Sequence, residues 1–122
     1  MDFLARKFGL FAGSAERHYA KAVSEQMLEQ YRKRRHESPD LGTRELYESV
    51  VAQRLGDERS RARELVNRAA DSFTQWPVER ELRFRDVVHY LIFDEYMRQG
   101  KAREGTKTNM GGVVARIIPE EL

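Results

Sequence analysis

Residues 57–76 read DERSRARELVNRAADSFTQW. Ala62, Leu65, Val66, Ala69, Phe73 and Trp76 step by three or four through this stretch, which places them on one stripe of an α-helix. Asp57 stands as an N-cap, and the pairs Asp57/Arg61 and Glu64/Arg68 fall at i,i+4 on the charged side. Pro77 follows Trp76 and stops the run. This is the cleanest periodicity in the chain, so the fold is read by asking what packs on its stripe.

Downstream, Phe84 to Gln99 is helical again and Gly100 ends it. Its centre, Val87-Val88-His89-Tyr90-Leu91-Ile92-Phe93, is apolar on nearly all sides, as expected of a central, buried helix. Residues 79–83 alternate like a strand for a few positions, but no second strand pairs with them. Upstream, Leu46, Tyr47, Val50, Val51 and Leu55 mark a helix over 39–55, beginning at Pro39 or at Thr43 and closed by Gly56 as its C′ residue. Ser38-Pro39 separates it from a first helix over 14–36, in which Tyr19, Val23, Met27 and Tyr31 repeat every four residues beside Leu28. Ser14 is the expected N-cap of that helix. Leu65, Val66, Phe73, Val88 and Leu91 are expected in the core.

The ends read differently. Residues 1–13, MDFLARKFGLFAG, carry Phe3, Leu4, Phe8 and Phe11 at helical spacing, weakened by Gly9 and Gly13. Residues 100–112 are polar and glycine-rich and read as a linker. After them come Val113, Val114, Ile117 and Ile118, whose spacing fits a short amphipathic helix or an edge strand equally. The expected organisation is an N-terminal apolar arm over 1–13, a helical domain over 14–99, and a linker with a C-terminal docking segment over 100–122. The fold class is all-α, a small bundle of about four helices.

Bulk properties narrow the function. A chain of 122 residues that is 40% hydrophobic can bury a core without staples, which argues against a disordered chain. It has no cysteine, which removes disulfides, thiolate metal sites and a thiol nucleophile. No apolar run approaches the roughly 20 residues of a membrane helix, and Arg6 and Lys7 interrupt any leader-like stretch. A cytoplasmic location is expected. The net charge is only +2, but residues 1–36 hold eight Lys/Arg against four Asp/Glu, while residues 37–99 hold ten against thirteen. The basic excess is therefore N-terminal.

Three local patterns bear on chemistry. Asp86-x-x-His89, with Asp94 and Glu95 beyond, puts a carboxylate and an imidazole on one helical face. Carboxylate-bridged metal bundles need several such pairs from different helices, and neither His18 nor His36 has a carboxylate three residues before it. GKAREGTKT at 100–108 has two glycines at phosphate-loop spacing, but Thr106 stands where the lysine belongs and a helix precedes it instead of a strand. Tyr31-Arg32-Lys33-Arg34-Arg35 is the densest charge run and suits phosphates, with the tyrosine placed to stack on a base. A helix C-terminus favours cations in any case.

The residues favour a non-enzymatic interaction module, an adaptor or accessory subunit, with no catalytic set, no metal and no cofactor. Its partner would be another protein, met through Val113, Val114, Ile117 and Ile118 or through Phe3, Leu4, Phe8 and Phe11. A second copy of the chain is one such partner, and a membrane is disfavoured because one cation pair anchors weakly. The alternative is a nucleic-acid or ribosome-associated protein that uses Tyr31, Arg32, Lys33, Arg34 and Arg35. A small metal-binding or enzymatic bundle around His89 stands third.

Overall fold

The computed structural model describes residues 12–74 and 80–122, with side chains from residue 15. Among the described residues every regular element is a helix: α1 (Ala12–Glu37), α2 (Thr43–Arg54), α3 (Arg59–Phe73), α4 (Phe84–Arg98) and α5 (Thr106–Ile117). Each helix packs on the next in sequence, and α5 closes the circuit against α1 in the most extensive helix pair of the molecule. Short connections impose this neighbour order. Helix α4 also contacts α1 across the middle.

Each helix buries the stripe its sequence dictates. Ala20, Val23, Met27 and Tyr31 turn inward from α1, Leu46, Tyr47, Val50 and Val51 from α2, and Ala62, Leu65, Val66 and Ala69 from α3. From α4 come Phe84, Val87, Val88, Leu91 and Ile92, all fully buried, as its all-round apolarity requires. Of the expected core residues, Leu65, Val66, Val88 and Leu91 are buried and Phe73 is half-buried. One end of the core is aromatic. The Phe84 ring lies 4.5 Å from Tyr31 and 5.7 Å from Tyr47, centroid to centroid.

Helix ends follow local chemistry, with shifts from the sequence reading. Gly56 adopts φ 71° after α2, and the Asp57 N–H donates to Ala52 O at 2.7 Å. Gly100 repeats the motif after α4, with φ 69° and the Lys101 N–H on Tyr96 O at 3.0 Å. Both are left-handed closures that glycine enters without strain. Asp57 is not the cap of α3: it is itself left-handed, at φ 68°, and α3 begins two residues later behind Glu58. Of the two starts open to it, Pro39 and Thr43, helix α2 takes Thr43. Helix α1 already runs at Ala12, so Ser14 lies inside it.

The reading of the C-terminus is corrected. The stretch TKTNMGG is not a tether but the first half of α5. Thr106, Met110, Val113, Val114 and Ile118 are buried in the same core as the other helices, and Ile117 packs against it. These residues fall at i, i+4, i+7, i+8 and i+12, a helical stripe that must be covered. Gly111 is where α5 and α4 come closest: a Cβ there would lie 2.8 Å from His89 Cε1. Glycine thus serves here as a contact surface. The residues Phe3, Leu4, Phe8, Phe11 and Trp76 lie outside the described residues.

Candidate functional site

The sequence patterns that bear on chemistry meet different fates in space. Asp86 and His89 do not form a pair. Asp86 is buried and accepts two hydrogen bonds from Arg80, at 2.6 and 2.9 Å, and a third from the Arg83 backbone N–H at 3.0 Å. A carboxylate at the first turn of α4, so satisfied, anchors the helix start. His89 turns to the other side, where Nε2 lies 2.8 Å from the Lys107 carbonyl oxygen and the ring packs 5.0 Å from Phe73. Burial pushes its pKa below the ordinary value, outweighing the hydrogen bond to Lys107. Among the described residues no three His, Asp or Glu side chains gather as a metal-binding group.

The basic run is split by the geometry of α1. Tyr31 is buried between Tyr47 and Phe84 and is unavailable to stack on a base. It is the last member of the stripe begun at Tyr19. Arg32, Lys33 and Arg35 are exposed, while Arg34 is half-buried and donates to Gln53 at 3.3 Å. Consecutive residues point about 100° apart on a helix, so the cations surround α1 without forming a strip.

Two polar clusters were invisible in the sequence. Glu95 on α4 receives Arg54 Nε at 2.8 Å and Nη2 at 3.0 Å, together with the Tyr19 hydroxyl, and Arg54 Nη1 reaches Gln26 at 2.9 Å. The Tyr19 hydroxyl is pushed up to about 12, by burial first and then by its bond to Glu95. The cluster ties α1, α2 and α4 together and uses up its own donors and acceptors. One turn before Tyr19 on α1, buried Glu16 accepts from Thr106 at 3.1 Å and Asn109 at 3.3 Å, pinning the first turn of α5. Residues so far apart in the chain carry no local signal of their meeting.

Between α1 and α5 lies an open groove of about 330 Å³, lined by Arg17, His18, Lys21, Val113, Arg116 and Ile117. Its floor is the outer edge of the buried stripe of α5, Val113 and Ile117 one turn apart. Arg17 and Lys21, also one turn apart, form the α1 wall, and Arg116 stands opposite. Arg17, His18, Lys21 and Arg116 are exposed, and among the described residues no carboxylate lines the groove. Glu16, next to Arg17 in the chain, is taken up by Thr106 and Asn109. Among the described residues Arg17, Lys21 and Arg116 form no ion pair, a state they share with most of the other cations; what sets them apart is that they gather around one apolar floor.

A cavity of about 400 Å³ at the junction of α1, α2 and α3 is different in kind. Its Arg34, Arg59 and Arg63 face Glu45 and Glu48, and Arg63 lies 3.7 Å from Glu48. Three cations there face two carboxylates, so most of the charge is offset within the chain, and the groove between α1 and α5 is the better candidate site. Comparison with protein-family models, with curated proteins and with solved structures finds no match to this chain.

Proposed function

We propose that this chain is a non-enzymatic protein–protein interaction module, an adaptor or accessory subunit, and that it receives its partner in the groove between α1 and α5. The observation that carries this reading is the uncompensated rim. Arg17, Lys21 and Arg116 stand around an apolar floor with no counter-charge from the described residues. Like charges so placed repel one another. A helix pair that served only to close the core would gain by covering Ile117 and placing a carboxylate between the cations. Docking explains both features at once, because a partner supplies the cover and the counter-charge. The role proposed for Val113 and Ile117 is then that of a floor on a folded helix, not of a free tail.

The test is site-specific photo-crosslinking in cells of the native organism, with a benzophenone amino acid at position 21, 116 or 63, with and without nuclease. One stoichiometric protein adduct at 21 and 116, absent at 63 on α3, is the expected result. A nuclease-sensitive adduct would favour the nucleic-acid reading through Arg32, Lys33 and Arg35. Protein adducts at 63 alone would remove the groove from consideration.

A further inference from the structure

We infer that the partner segment is an acidic amphipathic helix, with aliphatic anchors over Val113 and Ile117 and Asp/Glu side chains facing Arg17, Lys21 and Arg116; this rests on the docking reading above. Charge fixes the sign of the partner. Among the described residues the rim holds Arg17, Lys21 and Arg116, with His18 beside them, and no carboxylate. A basic or neutral segment would desolvate these cations without returning a partner for them, which costs affinity. The spacing suits a helix. Arg17 and Lys21 are separated by one helical turn, as are Val113 and Ile117, a rise of about 6 Å. A docked helix repeats its own anchors and flanking charges at i and i+4 over that same distance. Size agrees: about 330 Å³ lies at the lower end of the ~300–1,000 Å³ range of ligand pockets, room for the anchor side chains of a peptide.

The same geometry disfavours phosphate-bearing partners. Val113 is 4% exposed and Ile117 is half-buried at the bottom of a groove, so neither can reach into the hydrocarbon of a bilayer, as an interfacial anchor must. Among the described residues no aromatic side chain lines the groove, so they offer a single-stranded base nothing to stack on. An acidic surface without apolar anchors would leave the floor wet.

The experiment is selection of a phage-displayed library of 16-residue peptides on the full-length chain, followed by affinity measurement of the enriched peptides. The variants compared are the wild type, K21E/R116E and I117Q, each checked for unchanged helicity. The expected peptides pair aliphatic residues at i and i+3 or i+4 with flanking Asp/Glu. They should lose about tenfold or more against K21E/R116E and weaken between 50 and 500 mM salt. Replacing their Asp/Glu by Lys should restore binding to K21E/R116E and abolish it on the wild type. Uncharged or basic peptides that are sensitive to I117Q but not to K21E/R116E would overturn the acidic partner and leave the docking reading standing. Peptides indifferent to both variants, or none enriched at all, would overturn both readings. Retention of a 20-nucleotide single-stranded RNA, or of vesicles with 30% phosphatidylserine, through Lys21 and Arg116 would overturn the inference in favour of phosphate.

Discussion

Deleting residues 106–122 tests the fold most severely, because the sequence alone predicts a folded remainder and the structure predicts collapse. The deletion removes Met110, Val113, Val114 and Ile118, all buried in the shared core. Fully burying such a side chain contributes about 1.5–3 kcal/mol, so four contribute about 6–12 kcal/mol before the surface uncovered on α1 and α4 is counted. A domain of this size is stable by about 5–15 kcal/mol in total. Glu16 would also lose Thr106 and Asn109, leaving a carboxylate without its donors, and His89 would lose the Lys107 carbonyl. The truncated chain should therefore show no cooperative thermal transition, lower helicity than its length predicts, and bind a hydrophobic dye. Circular dichroism melting beside gel filtration measures this. A cooperative transition within about 5 °C of the full chain would refute the placement of α5 in the core.

Gly111 and Gly112 are adjacent in α5 but opposite in environment. Gly111→Ala should destabilise by about 1–3 kcal/mol, because its Cβ meets His89 at 2.8 Å. Gly112→Ala, with nothing within 4 Å, should stabilise by about 0.5–1 kcal/mol through helix propensity, and chemical denaturation of both variants decides. His89 has its folded pKa lowered by burial, so the unfolded chain binds its proton first. Stability should be constant with respect to this group above its unfolded value of about 6.5 and fall as pH drops below it, until the folded pKa is reached. Denaturation midpoints from pH 8 to 5 should show that slope, and His89→Gln should remove it. Arg54→Met should cost about 1–3 kcal/mol by leaving Glu95 with Tyr19 alone, and Glu95→Gln in the same background should restore part of the loss in a double-mutant cycle.

The four long helices were legible because each presents an apolar stripe wide enough to dominate its local signals. Leu65, Val66, Val88 and Leu91 are where that periodicity puts them. The fifth helix was hidden by composition. Thr106, Met110, Val113, Val114 and Ile118 carry the period, but Gly105, Gly111 and Gly112 outweigh it in any reading based on propensity. Propensity is a weak preference that packing overrides, and here the glycine that weakens the helix alone is the one that lets it approach His89. Tyr31 carries two signals in the sequence: beside four cations it looks like part of their surface, and as the fourth member of the repeat that began at Tyr19 it belongs inside. Packing follows the second. The Tyr19–Arg54–Glu95 cluster has no sequence signal, since its members are 35 and 41 residues apart and meet only once three helices are packed.

The groove itself follows from the way α5 covers its neighbours. One stripe on a twelve-residue helix must face both α1 and α4, and Met110, Val113, Val114 and Ile118 fill the wedge between them. Ile117 lies at the margin of that stripe, too far round to enter the wedge and too apolar to be left to water alone. Long cations solve this margin locally. The methylene stems of Arg17, Lys21 and Arg116 wall the floor while their charged heads stay hydrated. Glutamate or glutamine has a shorter stem and would wall it less well, so packing alone accounts for long side chains here. It does not account for the absence of an acid among the described lining residues, since one carboxylate on either wall would relieve the repulsion for a small loss of packing. That asymmetry is what separates a merely tolerated margin from a surface suited to an acidic partner.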